Sequence, residues 1–264
     1  MDLQLDSKTA LISGSTLGIG YAIAEALARE GATVIINGRS QERVEEAQQR
    51  IRATGAPGRV GGVVADLATP QGVALVVKAF PDVDILVNNL GIFGPTPFEE
   101  IPDEEWLRFF EVNVMSGVRL SRAYLPGMRK RDWGRIIFIS SESGLQIPGE
   151  MIHYGMTKTA QIAVARGLAE ITAATGITVN TILPGPTSSE GVVTFIDEIA
   201  ASEGITRADI EREFFNKNRP TSLIRRFATP AEVASMVAYI ASPRASATTG
   251  AALRVEGGII KSIA

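Results

Sequence analysis

The sequence predicts an α/β fold, a doubly wound three-layer sandwich whose seven-stranded sheet is mostly parallel. Short aliphatic runs recur along the chain without the period-2 alternation of half-exposed strands, so both faces of each strand should be covered. Each run is followed by a longer stretch of helical periodicity, the alternation that parallel βαβ units with right-handed crossovers require. The 264 residues show no linker, repeat or low-complexity tract, and the reading is one domain over 1–264.

TALIS (9–13) predicts the first strand, and the helix YAIAEALARE (21–30) stops at Gly31, suited to a C-terminal cap. TVIIN (33–37) is the second strand, followed by an amphipathic helix SQERVEEAQQRIRAT (40–54) with Ser40 as its N-cap. VGGVVAD (60–66), a helix near 70–80 and DILVNN (84–89) come next. One long helix is predicted from Pro102-Asp103 to about 129, then RIIFISS (135–141), a helix over about 151–175, and ITVNTIL (177–183). A helix from Pro230 to Ala241 and a strand ALRVE (252–256) complete the pattern. The stretch 184–229 is irregular and falls at the carboxyl edge of the sheet, where ligands bind in this architecture. It reads as a mobile substrate lid, with an inserted helical hairpin as the plainer alternative.

Composition narrows the function. Apolar residues make up 45% and charged residues 21%, ordinary for a globular chain, and a net charge of −3 gives no reason to expect a nucleic-acid partner. No cysteine is present, which removes disulfides and thiolate metal sites. His153 is the only histidine, so a His-based zinc site or a Ser-His-Asp triad lacks material, and no metal is expected. The first residues, MDLQLDSKTALISG, are acidic and run into a strand, unlike a signal peptide. No apolar run approaches the ~20 residues of a membrane span. The expectation is a soluble cytoplasmic protein.

SGSTLGIG (13–20) joins the first strand to its helix and contains Gly14-x-x-x-Gly18-x-Gly20. Glycines there let the backbone turn tightly and approach a pyrophosphate seated on the helix N-terminus, the Rossmann-type arrangement. A tight turn that binds nothing is the alternative. The second strand ends Asn37-Gly38-Arg39-Ser40, with a guanidinium where NAD enzymes place a carboxylate. Arg39, with Ser40, suits a 2′-phosphate, so NADP(H) is favoured over NAD(H); a solvated Arg39 is the alternative. Asp66 either accepts from an adenine amino group or caps the next helix.

Tyr154 and Lys158 stand four apart and so share a helix face. A nearby ammonium favours phenolate and would make tyrosine a workable acid or base near neutral pH. Ser141 ends the preceding strand at the same edge. Gly14-x-x-x-Gly18-Ile19-Gly20, Asn88-Asn89-Leu90-Gly91, Asn113, Ser141, Tyr154-x-x-x-Lys158 and Pro184-Gly185 follow in order. Over essentially its whole length the chain resembles the short-chain dehydrogenase/reductase family, 3-oxoacyl-carrier-protein-reductase-like.

That resemblance implies a role for each matching position. Tyr154 is the proton donor to a carbonyl or acceptor from an alcohol, and Ser141 hydrogen-bonds the substrate oxygen. Lys158 grips the nicotinamide ribose and lowers the tyrosine pKa, while Asn113 supports a relay water. Cofactor contacts are implied along Gly14, Thr16, Leu17, Gly18, Ile19 and Gly20, then at Asp66, Leu67, Asn89 and Gly91. Pro184, Gly185, Thr187 and Ser189 are implied on the nicotinamide side. The chain departs from the family in Ser13 for a threonine, Leu17 for a basic residue, Leu90 for an alanine, and Ser189 for a threonine.

The function implied is an NADP(H)-dependent carbonyl reductase interconverting a ketone and a secondary alcohol. A catalytically silent nucleotide-binding regulator and isomerase or dehydratase chemistry remain as alternatives. Phe93, Phe195, Ile196, Ile199, Phe214 and Phe215 suggest an apolar pocket and so an apolar substrate, a hydrophobic or bulky ketone with a 3-oxoacyl thioester as one case; core packing of the lid helices explains them as well. His153 points about 100° from Tyr154, toward solvent or an interface. The Gly-Gly tail after 256 resembles a segment near a subunit interface, and the family implies a homo-oligomer, tetramer or dimer.

Overall fold

The computed structural model describes residues 1–263, and at positions 195, 198, 199 and 203 only the backbone. Seven strands form one sheet: β1 (Thr9–Ile12), β2 (Thr33–Gly38), β3 (Val60–Val64), β4 (Ile85–Asn88), β5 (Gly134–Ile139), β6 (Ile177–Pro184) and β7 (Ala252–Val255). Their order is β3-β2-β1-β4-β5-β6-β7, and every pairing is parallel, so "mostly parallel" sharpens to wholly parallel. Strand order reverses between β1 and β4, and the crevice beyond their carboxyl ends is where such sheets receive ligands.

Among the described residues nine α-helices connect or flank the strands: α1 (Gly18–Arg29), α2 (Gln41–Ala53), α3 (Pro70–Ala79), α4 (Asp103–Phe110), α5 (Ser116–Arg131), α6 (Ile152–Ile171), α7 (Glu190–Glu203), α8 (Arg207–Lys217) and α9 (Pro230–Ala241). Neighbouring strand residues serve opposite cores. Ile12 and Ile36 join Leu27 of α1 and Val237 of α9 on one face. Leu11 and Ile35 join Val76 of α3, Leu120 of α5 and Ala165 of α6 on the other. Two buried faces explain the absence of alternation in the strands.

Local chemistry sets the ends. Ser40 Oγ accepts from the Arg43 N–H at 3.4 Å, and Gly31 follows α1 with φ +91°, as their residue types suggest. Thr229 and Glu232 form a reciprocal capping box ahead of Pro230, which starts α9 where the sequence places it. The single long helix predicted from 102 is instead α4 and α5 joined through a π turn, Glu111–Met115. One widened turn barely changes apolar spacing, which is why periodicity misses it. The irregular 184–229 stretch holds the α7–α8 hairpin.

His153 is the clearest correction. It is fully buried, its ring centroid 4.1 Å from that of Phe109 and 5.9 Å from that of Trp106. The start of α6 turns that flank toward α4, not toward solvent. Neither ring nitrogen has a protein hydrogen-bond partner, and burial lowers the imidazole pKa, a nearby Glu105 opposing. The folded state therefore resists protonation. Stability should hold above the unfolded histidine value of about 6.5 and fall as the pH drops below it. His153→Phe should remove that component: between pH 8 and pH 5 the variant should lose about 2–4 °C less in Tm than the parent, read by thermal unfolding.

Candidate active site

The glycine turn is built by backbone demands. Gly14 and Gly18 take φ +60° and +61°, and a Cβ on Gly20 would lie 2.5 Å from both Asn89 Nδ2 and Gly14 O. Ser13 keeps the hydroxyl role implied for threonine: its Oγ accepts from the N–H groups of Asn89 and Leu90, each at 2.9 Å. Asn89 Nδ2 donates to Ser13 O and Gly14 O at 3.0 Å, so its side chain braces the turn. Asn37, which sequence reasoning left aside, accepts from the Gly14 N–H at 3.1 Å and donates to Ala65 O at 3.1 Å, tying three loops at the sheet edge.

The cradle fits an anion. The Gly18 N–H, at the N-terminus of α1, donates to Glu190 Oε2 at 2.7 Å, and Arg50 Nη2 lies 3.7 Å from the other carboxylate oxygen. A carboxylate carried on α7 thus sits where a pyrophosphate oxygen would be received. Leu17 is 41% exposed beside it, Ile19 lines the main cavity, and half-buried Thr16 packs on Gly38. Arg39 is exposed at the end of β2 and makes no ion pair among the described residues, while Ser40 caps α2. Asp66 does not cap α3; Thr69 does, and the Asp66 carboxylate accepts from the Ala68 N–H at 3.0 Å. Leu67 is buried in the core, which leaves its backbone alone to face a cofactor.

On the other side of the crevice, Gly185 tolerates no side chain, since a Cβ would lie 2.8 Å from the Glu256 backbone. Pro184, Gly185, Thr187 and Ser189 line a cavity of about 630 Å³ with Ser141 and Tyr154. Thr187 Oγ1 donates to Gly185 O at 2.9 Å. Phe93, Ile196 and Phe214 line it too, whereas Phe215 is buried behind them in a ring cluster with Phe214 and Phe227. The side chains of Phe195 and Ile199 lie outside the described residues.

The four catalytic candidates converge. Asn113 sits in the π turn, its Oδ1 accepting from the Ile92 N–H at 2.7 Å, its Nδ2 donating to Ile92 O at 3.0 Å and Thr157 Oγ1 at 2.9 Å. Lys158 Nζ is buried and donates to Ile139 O at 3.0 Å and Gln161 Oε1 at 3.1 Å. It lies 5.5 Å from the Tyr154 ring centroid, and a Cβ on Gly91 would meet it at 3.4 Å. Ser141 lines the same cavity as Tyr154, and its Oγ donates to Glu142 Oε2 at 2.5 Å and accepts from the Ser143 N–H at 3.1 Å.

Three residues escaped sequence reasoning. Gln161 links the lysine to the asparagine segment, its Nε2 donating to Asn113 O at 2.6 Å. Its place at i+3 from Lys158 was the available signal. Buried Glu142 pairs with Arg219, Oε1 to Nε at 3.0 Å, and only the fold brings these two together. Burial, with the Glu142 charge, raises the Tyr154 pKa; the Ser141 hydrogen bond and Arg219 oppose it. Burial draws Lys158 down to about 7, with Glu142 pulling the other way. The protein alone therefore holds a neutral phenol beside an amine that titrates near neutrality.

This chain belongs to the short-chain dehydrogenase/reductase family and is an oxidoreductase acting on CH–OH or carbonyl groups. A family model described as enoyl-(acyl carrier protein) reductase matches residues 14–260. The oxidoreductase YvaG of Bacillus subtilis is 48% identical over 263 residues, covering all of both chains. The 3-oxoacyl-[acyl-carrier-protein] reductase FabG of Vibrio cholerae is 35% identical, covering 97% of this chain and 99% of its own. The L-sorbose reductase of Gluconobacter frateurii, solved with NADPH and L-sorbose, superposes with a TM-score of 0.94 at 34% identity over all of both chains.

Gln161 offers a test of the lysine environment. Its carbonyl oxygen favours the ammonium, so Gln161→Leu should lower the Lys158 pKa further. Any limb of the pH–kcat/KM profile governed by Lys158 should move to lower pH in the variant, with cofactor Kd little changed.

Proposed function

We propose that the protein interconverts a ketone and a secondary alcohol with NADP(H), using Tyr154 as the acid and base. The observation that carries this reading is that Ser141 and Tyr154 line one cavity with Pro184 and Gly185, while the buried Lys158 Nζ stands 5.5 Å from the Tyr154 ring. The nicotinamide supplies or accepts the hydride when bound. Gly14, Gly18 and Gly20 would hold its pyrophosphate, Arg39 and Ser40 a 2′-phosphate, Lys158 the ribose, and Thr187 or Ser189 the carboxamide.

In reduction, Ser141 turns its one hydroxyl proton from Glu142 Oε2 to the carbonyl oxygen and steadies charge developing there. Tyr154 gives its phenolic proton to that oxygen, and Lys158, which burial brings down to about 7, returns one to the phenolate through the groups between them. In oxidation the same groups run in reverse. Asn113 fixes the π turn and the Gln161–Lys158 contact, and through them the direction from which protons return. The intact set of four favours catalysis over a silent nucleotide-binding regulator or isomerase and dehydratase chemistry. Phe93, Ile196 and Phe214 support an apolar flank to the substrate.

The reading includes a cytoplasmic homo-oligomer, tetramer or dimer. Leu107 and Phe110, 66% and 38% exposed on α4, support association. Among the described residues no helix is long and apolar enough to cross a membrane.

Two variants test the reading. Tyr154→Phe should abolish turnover, by about 10²-fold or more, while NADPH still binds in a fluorescence titration. Turnover surviving in that variant would remove tyrosine as the acid. Arg39→Ala should weaken NADPH by roughly tenfold and leave NADH unchanged, the size of one charge-assisted contact. Tighter binding of NADH than NADPH by the parent protein would overturn the Arg39 assignment.

A further inference from the structure

We propose that Glu142 and Arg219 recognise hydroxyl groups flanking the reacting carbon, so that the substrate is a neutral polyhydroxylated ketone and the product the corresponding polyol. The proposal rests on the ketone–alcohol reading of the same site.

A buried ion pair is poor value as a stabilising device, because desolvation cancels much of the attraction and apolar residues of the same volume serve as well. Glu142 is 4% exposed and Arg219 8%, and both stand in the cavity wall beside Ser141, not in the sheet cores. Their hydrogen-bonding capacity is not used up. Glu142 Oε2 takes the Ser141 hydroxyl and Oε1 takes Arg219 Nε, which leaves each oxygen one further lone pair. Arg219 Nη1 donates to Asn218 O at 2.8 Å and reaches Glu150 at 3.4 Å. Its Nη2 has no hydrogen-bond partner among the described residues, and it is not among the enclosed atoms that lack one. The wall next to the catalytic hydroxyl therefore offers acceptors and donors together, the mixed demand of a hydroxyl group, which gives one proton and takes another.

Charge decides between a hydroxyl and an anion. The cavity is lined by three acids, Glu142, Glu150 and Glu213, and two bases, Lys217 and Arg219, a net of −1. Lys217 is bridged to Glu213, and Arg219 to Glu142 and Glu150, so each cation among the described lining residues is already matched by a carboxylate, which disfavours a carboxylate or phosphate on the substrate. Phe93, 67% exposed and edge-on to Tyr154 at 6.2 Å, offers an apolar surface that the C–H face of a polyol can cover.

The experiment compares alcohols of one length in the oxidative direction with NADP⁺: a set of hexitols, hexan-2-ol, and gluconate, which keeps the hydroxyls and adds a carboxylate. The best hexitol should exceed both others in kcat/KM by more than about tenfold, since a site built to pair hydroxyls rejects analogues that lack them. Glu142→Gln and Arg219→Met should each collapse the hexitol-to-hexan-2-ol ratio to within about threefold, with NADP⁺ affinity retained. Hexan-2-ol or gluconate matching the hexitols, or an unchanged ratio in both variants, would overturn the assignment while leaving the ketone–alcohol reading in place. If a variant does not fold, the parent's ratios decide. No turnover of any of these alcohols or their matched ketones, with NADP⁺ bound, would instead overturn the underlying reading.

Discussion

Everything at the catalytic edge depends on how Asn113 spends its side chain. Its amide meets both backbone groups of Ile92, in the loop after β4, and the Thr157 hydroxyl on α6, with all three contacts at 3.0 Å or less. Its own carbonyl takes the Gln161 amide, a second tie to α6. One buried residue thus joins the β4 loop, the π turn and the helix that carries Tyr154 and Lys158. A buried amide with every group paired specifies a single arrangement, and losing any one partner leaves an orphan costing about 1–3 kcal/mol. The π turn is where that geometry is accommodated, since the widened turn sets Asn113 among these partners.

The same edge concentrates buried charge. Lys158, Glu142 and Arg219 are all nearly inaccessible to water, within a site otherwise framed by strand ends and aromatic rings. Burial pushes the phenol of Tyr154 upward and the amine of Lys158 down, so the two drift toward the neutral pair. Glu142 favours the ammonium and disfavours phenolate; Arg219, arriving from beyond α8, moderates it. The segment that follows the α7–α8 hairpin is therefore electrically part of the catalytic centre, through an arginine 65 positions from the tyrosine in the chain.

Much of this was legible before any coordinates. The strands announced themselves because a sheet covered on both faces needs unbroken apolar runs, and Gly14, Gly18 and Gly20 did because close backbone approach excludes side chains. Tyr154 and Lys158 were visible through the i, i+4 rule, which holds on any helix. The hidden features are those that tertiary contact alone creates. His153 looked solvent-facing because nothing local says that α4 covers the start of α6. Glu142 reads as an ordinary surface acid until Arg219 is brought to it, and the π turn leaves no periodic trace. Leu67 matches a cofactor position by family resemblance, yet its side chain belongs to the core, a placement that only the packing of α3 and α5 against the sheet decides.

Glu190 gives the lid a second connection, to the opposite end of the crevice. Its carboxylate holds the Gly18 N–H, and two anions cannot occupy one donor. A dinucleotide phosphate that took this donor would compete with a tethered rival whose local concentration is set by the α7 hairpin and not by the solution, in the manner of any intramolecular ligand. The exchange of one anion for another at a single amide would then tie the residence time of such a ligand to the position of the hairpin, and salt, by screening both anions, would weaken that tie.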